Sequence, residues 1–111
     1  MVVVYVAEAH AADVWPINST RCSGPGNSFV AHRTQAERAA AAQRMVHALG
    51  LGEVPLLCDG IDDAFLKAYA AWPIRMYGLM AGRVEVIAEP HGSSFELPPL
   101  REWLLRRCSV H

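Results

Sequence analysis

The chain has 111 residues, 52% hydrophobic and 19% charged, a size and balance that predict one globular domain over 1–111. A disordered tail would carry fewer apolar residues and a larger net charge. The formal charge of −1 leaves no electrostatic footprint for nucleic acid or an anionic membrane, and no run approaches the roughly 18 apolar residues that a bilayer span needs.

The opening Val2 to Val6 is apolar and β-branched, lacks a basic lead-in and runs into Glu8 and His10. It predicts a strand covered on both faces rather than a signal peptide. Asp13 to Asn27 holds two prolines and two glycines and predicts a long loop. Thr34 and Glu37 have capping-box spacing, opening a helix to Leu49 with Met45 and Leu49 on one stripe and Gly50 as its left-handed cap. The alanines of this helix are read as helix propensity and little else. Val54 to Cys58 predicts a second strand, and Asp62 a cap for a helix running to Ala71 that Trp72-Pro73 stops. Ile74 to Met80 and Val84 to Ala88 predict a hairpin with Gly82 in its turn. After a loop from Glu89 to Leu97, Pro98-Pro99 opens a last helix with Leu100, Trp103 and Leu104 on its apolar stripe.

A strand, a helical crossover and a second strand imply parallel neighbours, and the closing hairpin implies an antiparallel edge. The expectation is an α/β chain of thioredoxin-like type, a mixed sheet with flanking helices. The N-terminal β-α unit that carries the nucleophile in that fold is missing from these residues. Cys22, Cys58 and Cys108 form an odd set without a C-x-x-C pair, arguing against a disulfide framework or structural zinc and for a reducing compartment.

Pro73, between a helix and a hairpin strand, stands where such a fold keeps a cis-proline; the plain alternative is a helix stop. Glu8, His10 and Asp13 follow the first strand, at the end where open α/β sheets bind ligands. There a carboxylate could orient the His10 imidazole for proton transfer, or the cluster could simply cap the sheet. His32 lies at the entrance to the first helix and His91 in the loop after the hairpin, and either could be an ordinary solvated histidine. Their spacing carries no zinc motif, so no metal is assigned. Cys58 reads as buried and inert, and Cys22, beside Arg21, as the exposed thiol.

The segment Val4-Tyr5-Val6-Ala7-Glu8-Ala9-His10, with Asp13 and Trp15, resembles the Y-I-E-E-A-H-x-x-D-G-W signature of the iodothyronine deiodinases. His32-Arg33-Thr34-Gln35-Ala36-Glu37-Arg38 is similar to that family's H-R-S-L-Q-D-R segment. Pro73-Ile74-Arg75-Met76-Tyr77 with Gly82-Arg83 is similar to its P-E-R-L-Y…G-R hairpin, and Leu100-Arg101-Glu102-Trp103-Leu104 to its closing L-R-x-W-L helix. The resemblance implies a thioredoxin-like enzyme that removes iodine reductively from an iodinated phenol such as thyroid hormone, using a selenolate reset by a thiol reductant. It implies catalytic roles for His10, His32 and Glu8, a substrate-binding role for His91, no cofactor, and a homodimer. Membrane attachment would come only through an N-terminal anchor.

Ala7 and Val14 depart from the signature, and the segment from Pro16 to Phe29 is longer than the family's. The S-C-T-U-P segment that bears the selenocysteine has no counterpart here, which leads to the expectation that Met1 is not the natural start. A thiol oxidoreductase or peroxidase on the same scaffold, and a non-catalytic binding or dimerisation module, are the alternative readings.

Overall fold

The computed structural model describes residues 1–16, 29–91, 94–95 and 97–108, with residues 91, 94 and 95 known by their backbone alone. Cys22, His111 and most of the long loop lie outside the described residues. The chain divides into two compact units, 1–73 and 74–111.

In the first unit, β1 (Val3–Tyr5) pairs in parallel with β2 (Leu56–Cys58), Tyr5 standing opposite Cys58. The connection runs through α1 (Gln35–Leu49), as a parallel pair requires. Both halves of the capping box form: the Glu37 amide donates to Thr34 Oγ1 at 3.2 Å, and Glu37 Oε2 accepts from the Thr34 amide at 3.2 Å. A further bond from the Arg33 amide at 2.7 Å helps hold the Glu37 carboxyl below the usual carboxylate range. Gly50 closes the helix at φ 65°, a conformation that glycine adopts without steric cost.

The core corrects two expectations about α1. Ala41 and Ala42 are each only 1% exposed and pack with Tyr5, flanked by Met45, Leu56 and Cys58. The alanines therefore do more than favour helix; small side chains let α1 approach the strand pair closely. Leu49, placed on the apolar stripe by its spacing, is 64% exposed because it ends the helix beyond the strands. Likewise β1 has β2 as its neighbour among the described residues, and Val2 is exposed, so coverage on both faces is not seen there.

A polar network fastens the start of α1 to the turn after β2. Gln35 donates through Nε2 to the Asp59 carbonyl at 3.1 Å and accepts the Ile61 amide at 2.8 Å. Arg38, 3% exposed, donates to the Gly60 carbonyl at 2.5 Å and pairs with Asp63 at 2.8 Å. The next helix, α2 (Ala64–Tyr69), is not capped as its sequence suggests. Asp62 makes only a long contact of 3.4 Å to the Ala64 amide. Buried Asp59 instead accepts the Phe65 and Leu66 amides, one on each carboxylate oxygen, both at 2.9 Å. Its two shorter bonds satisfy donors that the helix start would otherwise leave unpaired. The Trp72–Pro73 bond is cis, as its position predicts.

In the second unit, β3 (Met76–Met80) and β4 (Arg83–Ala88) form an antiparallel hairpin with an irregularity at Gly78/Leu79. Ala81 (φ 50°) and Gly82 (φ 75°) both take the left-handed conformation that matches the twist of a tight hairpin. The following loop contains a short pair, β5 (Pro90–His91) and β6 (Ser94–Phe95). The last helix, α3 (Pro98–Cys108), packs on the hairpin. Trp103 Nε1 donates to Glu85 at 2.8 Å and Arg107 pairs with the same carboxylate, and both bonds hold Glu85 below the usual carboxylate range. Leu104, assigned to the apolar stripe, is exposed. The architecture is α/β; among the described residues the ladders are two-stranded, β1–β2 in the first unit and β3–β4 and β5–β6 in the second. Among the described residues, no helix is long and apolar enough to cross a membrane.

Two substitutions test this packing by urea denaturation. Asp59→Ala should lower stability by about 1–3 kcal/mol, because it leaves two amides at the start of α2 unpaired; an unchanged midpoint would remove Asp59 as the cap. At Gly78 a Cβ would meet Val86 Cγ1 at 2.5 Å and the Trp103 ring at 3.0 Å. Gly78→Ala should therefore cost about 1–3 kcal/mol through overpacking, whereas a neutral result would mean that α3 yields freely.

Candidate active site

The chain leaves β1 at Tyr5, and the hydroxyl of that residue donates to Glu8 Oε1. Glu8 is half-buried. Burial pushes its carboxyl above the usual 4.5, partly opposed by the positive charge of Arg44. The other face of the arrangement is His32, whose ring lies 6.0 Å from that of Tyr5 at a tilt of 37°. Tyr5 thus stands between two of the residues singled out by the sequence, hydrogen-bonded to one and in ring contact with the other.

His10 is held separately. Its Nδ1 lies 3.3 Å from the Trp15 carbonyl, and its ring packs 4.6 Å from the Trp15 ring. A carbonyl only accepts, so in the neutral imidazole Nδ1 carries the hydrogen and Nε2 the lone pair. Trp15 in turn stacks at 5.7 Å on Trp72, the residue before cis-Pro73. The expected carboxylate partner of His10 is engaged elsewhere. Asp13 Oδ1 accepts the Ala31 amide at 2.8 Å, while the Ala12 amide donates to the Phe29 carbonyl at 2.7 Å. These two bonds join the segment after His10 to the segment before His32.

Both ring nitrogens of His32 are buried, and neither has a hydrogen-bond partner among the described residues. Burial, followed by the charges of Arg38 and Arg44, holds the imidazole below the ordinary 6.5, with Glu37 opposing. The ring borders an open depression of about 540 Å³ that is also lined by Phe29, Arg33, Glu37 and Arg44. The Arg44 guanidinium lies 5.8 Å from the centre of the Phe29 ring. The depression joins an aromatic face, two cationic side chains and the Glu37 carboxylate, with the His32 ring at its border, so it can take an aromatic group that carries polar substituents.

The site therefore brings Glu8 and His32 together around Tyr5, with His10 beside the tryptophan pair. His91 falls on β5, and its side chain lies outside the described residues. Cys58 is half-buried, with Sγ 3.6 Å from Gln35 Nε2, and Cys108 is exposed at the end of α3. Among the described residues, no group of three or more His, Cys, Asp and Glu converges as metal ligands would. Sequence reasoning passed over Tyr5, Trp72 and Arg44 as site residues. Arg44 follows Glu37 by two helical turns and so shares its helix face, which was the available signal.

The shifts of His32 and Glu8 have opposite consequences for stability. Above 6.5 His32 is neutral folded or unfolded. As pH falls below that value the unfolded chain takes up the proton first, so the contribution of His32 drops. Glu8 acts in the reverse sense, its contribution falling as pH rises from 4.5 toward its raised folded value. Titration by NMR should place the His32 midpoint below 6.5 and move it upward in Arg44→Gln; a midpoint at or above 6.5 in the parent chain would contradict the burial.

A family model described as iodothyronine deiodinase matches residues 1–108. Thyroxine 5-deiodinase of Gallus gallus is 31% identical over 101 residues, which are 91% of this chain and 36% of that protein. Type I iodothyronine deiodinase of Xenopus laevis is 30% identical over 82 residues, 74% of this chain and 29% of that protein. The chain thus spans about a third of the length of these relatives. A shorter stretch of 47 residues, 42% of the chain, is 49% identical to 13% of the NAD-capped RNA hydrolase NudC of Mycobacterium tuberculosis. That stretch is too short to assign the chain to the hydrolase, whereas the match over 1–108 takes in both histidine segments, the hairpin and the last helix. On that match, the chain belongs to the iodothyronine deiodinase family.

Proposed function

We propose that residues 1–111 form the substrate-positioning and proton-delivering part of a thioredoxin-like reductive deiodinase acting on an iodinated phenol of the iodothyronine type. The observation that carries this reading is His32. Its two ring nitrogens are buried without a described partner, beside a depression lined by aromatic and cationic groups, in a segment that the family match covers. Buried polar atoms in native proteins are nearly always paired, so such a ring is suited to a polar ligand atom such as a phenol oxygen.

In reductive deiodination a selenolate or thiolate attacks iodine, the carbon–iodine bond breaks, and the ring carbon takes up a proton. Two thiols then release iodide and return the nucleophile as their sulfurs join in a disulfide. Within that scheme His10 relays the proton: its Nε2, left with the lone pair by the bond of Nδ1 to the Trp15 carbonyl, takes a proton from solvent and passes it to the ring carbon. His32, kept neutral by burial and by two arginines, binds rather than donates. Glu8, hydrogen-bonded to Tyr5, orients that residue against His32. A supporting role for His91 at the amino-acid end of the substrate, and assembly as a homodimer, belong to the same proposal.

The S-C-T-U-P segment that bears the nucleophile in the resemblance has no counterpart in the sequence, so the attacking selenolate or thiolate is proposed to come from outside residues 1–111. The 111-residue polypeptide should bind thyroxine, read as quenching of tryptophan fluorescence, yet show no iodide release with dithiothreitol. His32→Ala should weaken binding about three- to tenfold, the worth of one hydrogen bond. Iodide release that depends on Cys22 would overturn the proposed source of the nucleophile. Thyroxine binding that is absent, or indifferent to His32→Ala, would overturn the site.

A further inference from the structure

The two proposed functional histidines belong to separate segments, one after β1 and one before α1. Among the described residues, two hydrogen bonds join those segments directly, and they differ in kind. The first is a backbone bond from the Ala12 amide to the Phe29 carbonyl at 2.7 Å. The second is made by a side chain: Asp13 Oδ1 takes the Ala31 amide at 2.8 Å.

The local backbone explains why a side chain is used. The Val14 and Trp15 amides both donate to the Ala11 carbonyl, at 3.1 and 2.9 Å. The chain has therefore begun to turn at Ala12 and no longer runs alongside residues 29–31 as a strand would. The Asp13 carboxylate takes the place of the backbone carbonyl that a continuing strand would offer. A carboxylate is also the stronger acceptor, since hydrogen bonds to an ionised group exceed neutral ones. Ala11, at the pivot, is buried.

Ala31 immediately precedes His32, and Asp13 follows His10 by a single short turn. The Nδ1 of His10 faces the Trp15 carbonyl, so the ring is already oriented without a carboxylate. We propose that Asp13 is a positioning residue: it clasps the backbone before His32 to the turn after His10 and thereby sets the spacing of the two histidines, rather than serving as the charged partner of His10. The functional consequence rests on the deiodinase reading of those histidines; the clasp itself does not. Without it, the two segments would be joined through the Ala12–Phe29 bond and the chain between them, and closing so long a stretch carries an entropic cost.

The test compares Asp13→Ala with Asp13→Asn in the 111-residue chain. Asparagine keeps an acceptor oxygen for the Ala31 amide and removes the charge; alanine removes both. Amide hydrogen exchange at Ala31 should be at least tenfold faster in Asp13→Ala and within about threefold of the parent in Asp13→Asn. Thyroxine affinity should follow the same pattern, weakened about tenfold by alanine and restored by asparagine. A purely electrostatic partner of His10 would make asparagine fail as fully as alanine, and that result would overturn the proposal. Unchanged exchange in both variants would overturn it too. If Asp13→Ala does not fold, Asp13→Asn decides by itself: protection of Ala31 retained supports the clasp, and protection lost sinks it. If the parent chain binds no thyroxine, the deiodinase reading fails while the exchange measurement still decides the clasp.

Discussion

The contact between Tyr5 and the paired alanines of α1 is the constraint on which the first unit depends. Ala41 and Ala42 carry so little side chain that the helix can lie close to β1 and β2, and Tyr5 fills the space between. Once its ring is fixed there, its two ends have defined neighbours. The hydroxyl meets the Glu8 carboxylate, and the ring edge meets His32. A larger residue at either alanine would push the helix off the strands and separate Glu8 from His32, because close-packed interiors transmit such displacements. Packing of the core and placement of candidate chemistry are here the same interaction.

Electrostatics act on that frame in a consistent direction. Burial raises Glu8 and lowers His32, which are the two shifts that favour the uncharged forms of an acid and a base. Arg44 reinforces the shift at His32 and opposes it at Glu8, since a cation favours a carboxylate and disfavours an imidazolium. The charge around the depression is therefore carried by Arg33, Arg44 and the Glu37 carboxylate, while the imidazole beside them stays neutral. His10 differs in having its Nδ1 occupied by a main-chain carbonyl, which defines a tautomer without a second charged group. The two histidines that the sequence presents as equivalents are in physically different surroundings.

Much of the secondary structure was legible because its determinants are local. The capping box at Thr34 and Glu37, the glycine at position 50 and the turn before Arg83 are read within a few residues of the element they bound, and all three form. The cap of α2 was misassigned for the opposite reason. Asp62 has the local spacing, but Asp59 is buried against the helix start and makes the two shorter bonds. The apolar stripes failed at their ends, at Leu49 and Leu104, where periodicity continues but the surface to be covered does not.

For the candidate site, the residue types and their order were in the sequence, and they are enough to place the chain in its family and to nominate Glu8, His10 and His32. Their partners were not. That Asp13 bonds to the Ala31 amide, that Trp15 stacks on Trp72, and that the charge of Arg44 acts on both Glu8 and His32 are outcomes of tertiary folding. The physical reason is one of range. Caps, turns and helix propensity are decided by neighbours along the chain, while the protonation and hydrogen bonding of a side chain are decided by whatever the fold brings within a few ångströms of it.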